Sequence, residues 1–218
     1  MASEHPRTDE DAVRARILRE ASVLFAGSGY DRTSTQAIAS AAGIEQSMLF
    51  HLFASKAAIM NTLLKSDLDA AVAAVERQLR SSGSPARRLH DYLVEDIRLV
   101  RRSPYSLGGI DVPRLLRELD FAGARARSQR LSDARIALIR EGIAASEFVD
   151  VDPEAANRAI EWTIEGSFAE TGTGRVADPD AHAHEVAVFC LRALLVDPDT
   201  LDTIRGDSQI PTEEDDGS

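Results

Sequence analysis

Long apolar runs are missing from this sequence. Its uninterrupted hydrophobic stretches last only a few residues, far short of the ~20 that a membrane-spanning helix needs. Only one cysteine is present, Cys190, which excludes an internal disulfide and offers no metal-ligand spacing. The N-terminal stretch MASEHPRTDEDAVRARI has no apolar core of the kind a signal peptide carries, so a cytoplasmic protein is expected. Runs of β-branched residues alternating with polar ones are also absent, which argues against a half-buried sheet. No Ser/His/Asp grouping stands at an interpretable spacing. Neither an enzyme nor a cofactor is expected.

An excess of positive charge is lacking as well. The formal net charge is −11, which at first argues against a nucleic-acid partner, because phosphate affinity comes mainly from Lys and Arg. The distribution changes that inference. Residues 1–56 carry six basic and seven acidic residues and are nearly balanced, whereas residues 57–218 hold the remaining acidity. Five acids fall within the last twelve residues, DSQIPTEEDDGS, and residues 206–218 read as an acidic, disordered tail.

What the sequence does have is helical spacing. Val13, Ile17, Ala21, Leu24 and Phe25 recur at steps of three and four, predicting a helix over about 9–26 that Gly27 or Gly29 closes. Thr33–Thr35 supplies N-cap hydroxyls for a short helix to about Ala42; Gly43 breaks it, and a second short helix follows over about 45–52. A long helix opens near Ser55–Lys56 and runs to about Arg80. Ser84–Pro85 starts the next, to Arg102, with Leu89, Leu93, Ile97 and Val100 in a stripe. One or two turns are expected over 112–119, then helices over about 122–145, from Asp152–Pro153, and from Asp178–Pro179. The last two (about 153–172 and 179–196) are apolar over wide arcs and need cover on several sides, for which a partner subunit is a natural source. The fold class is therefore all-α.

The unit that carries function is short helix, Gly-containing turn, short helix. Gly43 permits a sharp turn, Ile38, Ala39, Ile44 and Leu49 knit the two helices, and the Glu45–Met48 end is left facing outward. That is the pattern of a helix-turn-helix, whose second helix lies in the major groove of DNA.

Residues 14–59, RARILREASVLFAGSGYDRTSTQAIASAAGIEQSMLFHLFASKAAI, resemble the DNA-binding region of the TetR family of bacterial transcriptional regulators. The resemblance rests on Ile17, Ala21, Phe25, Gly29–Tyr30, Thr33–Ser34, Ile38–Ala39, Ala42–Gly43–Ile44, Leu49, Phe53, Lys56 and Ile59. It implies an N-terminal helix-turn-helix DNA-binding domain (1–55) and a larger helical ligand-binding and dimerisation domain (56–205). It also implies a homodimer formed through the two C-terminal helices, a double-stranded DNA operator, and a small-molecule effector. Carried over position by position, it places Thr33 and Ser34 at helix-capping hydroxyls that also reach phosphate, and Gln46, Ser47 and Met48 against base edges. His51 and Lys56 fall at phosphate-contacting positions. Phe50 stands where the family usually has Tyr, so a hydroxyl contact to phosphate is lost there.

The aromatic residues Tyr92, Tyr105, Phe121 and Trp162 are candidates for lining an effector cavity, although ordinary core packing would use the same residue types. His182, His184 and Glu185 look like a metal site, but residues two apart on a helix point about 200° apart, so no metal is expected. TGTGR at 171–175 reads as an interhelical turn rather than a phosphate loop. The function expected is a ligand-responsive repressor that binds a near-palindromic operator as a homodimer. The alternative is a helical small-molecule-binding protein whose DNA-binding head is weak or lost.

Overall fold

The structure, a computed structural model, describes residues 6–103, 105, 107, 110–171 and 178–206. The acidic tail beyond Gly206 and most of the TGTGR segment lie outside the described residues. Among the described residues ten α-helices follow in chain order: α1 (Pro6–Ser28), α2 (Thr35–Ala41), α3 (Gln46–Leu52), α4 (Lys56–Arg80), α5 (Pro85–Arg102), α6 (Val112–Leu115), α7 (Ala122–Ala144), α8 (Pro153–Thr171), α9 (Pro179–Arg192) and α10 (Thr200–Gly206). A 3-10 turn at Leu119–Phe121 leads into α7. The one extended pairing among the described residues is an isolated antiparallel bridge between Phe148 and Leu195.

Local chemistry sets the helix ends. Ser34, Ser55 and Ser84 each accept a hydrogen bond from a backbone N–H three residues on, at the starts of α2, α4 and α5. Asp178 does the same for α9 through the N–H groups of Asp180 and Ala181. Each such cap stabilises its helix by about 1 kcal/mol. Gly29, at φ +86°, closes α1, its N–H donating to the Phe25 carbonyl.

Among the described residues two apolar clusters form the interior. One gathers Ile17, Ala21 and Phe25 of α1, Ile38 and Ala39 of α2, Leu49 of α3, and Ile59, Met60 and Leu63 of α4. The other lies among α4, α5, α7, α8, α9 and α10, with Val75, Leu89, Leu93, Ile97, Leu138, Ile139, Ile164 and Leu191. α4 serves both. At 25 residues it is about 37 Å long, more than one core can cover. The division expected at residue 55 therefore does not coincide with a break in the interior: the first cluster continues along α4 and takes in Leu115, Phe121 and Ala124. α10 had no counterpart in the sequence reading. Its Leu201 and Ile204, one turn apart, seal the far end of the second cluster.

Candidate nucleic-acid interface

α2 and α3 meet through a turn that the sequence specifies closely. Beyond α2, Gly43 adopts φ +63°, which only glycine takes without strain. Its N–H donates to the Ser40 carbonyl, and the Ile44 N–H reaches back to the Ala39 carbonyl at 3.0 Å. These two bonds are the Schellman closure of a helix, and they satisfy carbonyls that the helix end would otherwise strand. The chain reverses tightly, and Leu49 buries itself completely against α1 and α2. The opposite side of α3 is left in solvent.

That outer side carries Gln46, Ser47, Met48, Phe50 and His51, all exposed. Met48 keeps 45% and Phe50 48% of its surface accessible, high for apolar side chains in a well-packed head. Ile44, Glu45, Ser47, Met48 and His51 line an open depression beside the helix start. The Gln46 carboxamide donates to the Thr35 hydroxyl at 2.9 Å, and the Ser47 hydroxyl donates to the Glu45 carboxylate at 3.3 Å. His51 Nε2 stands 3.9 Å from the exposed Glu10 carboxylate on α1.

Two expected phosphate contacts are placed differently. Thr33 is 4% exposed, and its hydroxyl hydrogen is directed to the Gly29 carbonyl at 2.9 Å, with the Leu24 carbonyl at 3.2 Å. It closes the α1–α2 loop from inside, and Ser34 alone caps α2. The Lys56 ammonium likewise turns inward, donating to the carbonyls of Tyr30 (2.8 Å), Thr33 (3.0 Å) and Asp31 (3.3 Å) and lying 4.3 Å above the Tyr30 ring. An ammonium has three hydrogens, and this loop takes all of them.

Arg14, next to Val13 on α1, has a comparable role. Both terminal nitrogens of Arg14 donate to the Leu52 carbonyl at 3.0 Å, and its guanidinium lies 4.4 Å over the Phe53 ring. It thereby sets a cation against the negative, C-terminal end of α3. The outward helix is thus fixed at its end by Arg14, at its start by the Thr35 contact, and along its inner face by Leu49.

The four aromatic effector candidates are not brought together. Tyr92 is fully buried in the second cluster, with its hydroxyl donating to Asp96 at 3.1 Å. Tyr105 packs, partly buried, against the first cluster. Phe121 is fully buried in that cluster and meets Tyr30 edge-on, with ring centroids 5.7 Å apart. Trp162 is 70% exposed on α8. An aromatic ring fits a core, a seam or a partner surface equally well, and composition does not tell these apart.

A buried polar network, not foreseen, joins α5, α7 and α8. Arg135 pairs with Glu161 and reaches the Tyr92 hydroxyl at 3.4 Å; Asn157 donates to Ser132 and Glu161. Burial raises the Asp96 carboxyl above its ordinary range, while Arg135 and the Tyr92 hydroxyl pull it back. The His184 ring of α9 meets that of His90 of α5, with centroids 5.4 Å apart. Among the described residues no three His, Cys, Asp or Glu side chains are grouped to hold a metal. No single helix among them is long and apolar enough to cross a membrane.

Comparison with known proteins supplies the class. Residues 17–63 match the model of the bacterial regulatory proteins, tetR family. The transcriptional repressor KstR2 of Mycolicibacterium smegmatis is 27% identical over 155 residues, covering 69% of this chain and 75% of that protein. The transcriptional regulator UidR of Escherichia coli is 31% identical over 93 residues, 42% of this chain and 44% of its own length. Among solved structures, AmtR of Mycobacterium smegmatis aligns with a TM-score of 0.71 at 28% identity, covering 88% of this chain and 91% of that one. KstR2 of Mycobacterium tuberculosis shares the fold, with a TM-score of 0.69 at 22% identity over 84% of this chain and 95% of that one. Fold, helix-turn-helix and relatives together define a DNA-binding transcriptional regulator. Its head, residues 17–63, is similar to the DNA-binding region of the tetR family of bacterial regulatory proteins, and 88% of the chain shares the fold of AmtR.

Proposed function

We propose that the protein is a ligand-responsive repressor that binds a near-palindromic operator as a homodimer and leaves it when a small molecule occupies the helical body. The observation that carries this reading is the outer side of α3. Five exposed side chains of mixed chemistry sit on a helix held from three directions, which suits major-groove readout. Gln46, Ser47 and Met48 face bases in this reading: Gln pairs with the adenine edge, and Met48 packs on a thymine methyl. Ser34 and His51 lie beside phosphates. Lys56 supports the loop beneath them.

The dimer is proposed to form through α8 and α9. Trp162 on α8 and Phe189 on α9 stay 70% and 68% exposed in the single chain, an unusual cost unless a partner covers them. Head and body meet where Arg114 of the α6 turn pairs with Asp31 at 2.7 Å, Phe121 touches Tyr30, and Asn61 donates to the Asp120 carbonyl. A rearrangement in the body would reach the α1–α2 loop here. An effector needs only ~2–3 kcal/mol of preference for the released state to alter occupancy measurably.

The test is a gel shift on the DNA flanking the protein's own gene, across a salt series. A saturable, sequence-specific complex of one dimer per site is expected. Trp162→Glu with Phe189→Glu should give a folded monomer that binds at least ten-fold more weakly. An intact wild-type dimer with no sequence preference at low salt would leave the helical ligand-binding alternative in its place.

A further inference from the structure

The sequence TST at 33–35 provides three adjacent hydroxyls, and the structure gives each a different partner. Thr33 is sealed inside, bonded to the Gly29 carbonyl. Ser34 is taken by its cap on the Ala37 N–H at 3.1 Å. Thr35, the first residue of α2, reaches across the motif and accepts from Gln46, the first residue of α3, at 2.9 Å. The tight turn at Gly43 is what sets these two helix starts side by side.

A carboxamide has two hydrogens and one acceptor oxygen. The bond to Thr35 takes one hydrogen and leaves the other hydrogen and Oε1 available. That remaining pair is what adenine's N7 acceptor and N6 donor require in the major groove. A free glutamine would have to order its rotatable bonds on binding; one already held by a neighbour loses less.

We propose that Thr35 is a positioning residue for sequence readout. It touches no base itself, but it holds the Gln46 carboxamide in the orientation that selects adenine, so the first helix of the motif tunes what the second reads. This rests on the operator reading above.

The experiment selects binding sites from a random-sequence duplex pool with the full chain as wild type, Gln46→Ala, Thr35→Val and Thr35→Ser, and follows salt dependence and thermal melting for each. Gln46→Ala should erase one adenine-bearing position per half-site. Thr35→Val is close in shape but has no acceptor. It should weaken the preference at that same position by roughly three- to ten-fold, with the melting curve and the salt slope unchanged. Thr35→Ser should restore the preference. A Thr35→Val protein that keeps the adenine preference overturns the proposal. So does one that weakens all sequences alike with a shallower salt slope, which would make Thr35 a phosphate contact, and so does one that simply melts lower. A wild-type dimer that enriches no sequence refutes the operator reading itself, and this inference with it.

Discussion

Replacing Lys56 with Met separates two accounts of one residue. As a phosphate contact, Lys56 would matter only when DNA is present. As the structure has it, the ammonium holds three carbonyls of the α1–α2 loop, two of them in partly buried bonds to Tyr30 and Thr33. The third bond, to Asp31, is long and exposed, and water replaces it readily. Methionine keeps the hydrocarbon stem and removes only the charge and its donors. A hydrogen bond to a charged group contributes about 1.5–3 kcal/mol. Halving that for partial exposure, counting it for the bonds to both Tyr30 and Thr33, and adding about 0.5–1 kcal/mol for the cation above the Tyr30 ring, gives a loss of about 2–4 kcal/mol.

For a chain of this length each kcal/mol moves the melting temperature by about 2–4 °C, so Lys56→Met should melt roughly 4–16 °C lower. Thermal unfolding followed by circular dichroism reads the global change, and amide exchange at Ala37 and Ile38 reads the loosening of α2. Operator binding supplies the opposing measurement, since loss of one phosphate contact reduces the salt slope by about one. A variant with unchanged melting temperature and a slope lower by one would refute the structural assignment and restore the phosphate contact.

Other perturbations test other joints. Arg14→Met leaves the Leu52 carbonyl without its cation and should weaken operator binding several-fold while the preferred sequence stays the same, as measured by site selection. Gly142→Ala should cost at least about 1–3 kcal/mol in denaturant unfolding, because a Cβ there would stand 2.1 Å from the buried Phe148 ring; adding Phe148→Leu should recover part of the loss. Burial, then His90 and Arg98, hold the His184 imidazole below its ordinary value of 6.5. The unfolded chain therefore binds this proton more readily, and the stability due to a neutral His184 is present above about pH 6.5. It is lost as pH falls through the lower, folded value. His184→Phe should flatten the melting temperature between pH 7 and 5, and an unchanged pH profile would contradict this.

The features legible in the sequence were those with short-range causes. A serine or aspartate cap and the N–H it serves lie two or three residues apart, so the starts of α2, α4, α5 and α9 could be read directly. The turn at Gly43 is equally local, and so is the outward run from Gln46 to Met48. The supports of α3 are not local. Lys56 finds the Tyr30 carbonyl 26 residues back, and Arg14 finds the Leu52 carbonyl 38 residues on. Backbone carbonyls carry no residue identity, so no motif marks such a pair. Thr33 and Thr35 are chemically alike, and only the direction in which the loop turns decides which is buried. The network of Tyr92, Asp96, Arg135 and Glu161 was hidden for the same reason: its members come from three helices whose relative rotation no local pattern specifies.

These assignments change how the head's charge is to be counted. The sequence has no Lys or Arg between Ile44 and Ser55, and of the nearby cations the family resemblance puts Lys56 at a phosphate contact. The structure commits Arg14 and Lys56 to carbonyls of α3's end and of the α1–α2 loop, and Arg32 to the Ser28 carbonyl. Half of the six basic residues in the first 56 thus hold the scaffold together. Few remain for counterion release, the term that normally dominates non-specific binding and its salt dependence. Under the proposed function, each head must then draw a larger share of its affinity from base contacts. That share is sensitive to the orientation of one carboxamide, and it becomes sufficient only when two heads engage together. A shallow salt slope, a strong dependence on dimerisation and a marked penalty for disturbing Gln46 follow from one cause, the use of the head's cations to hold its recognition helix.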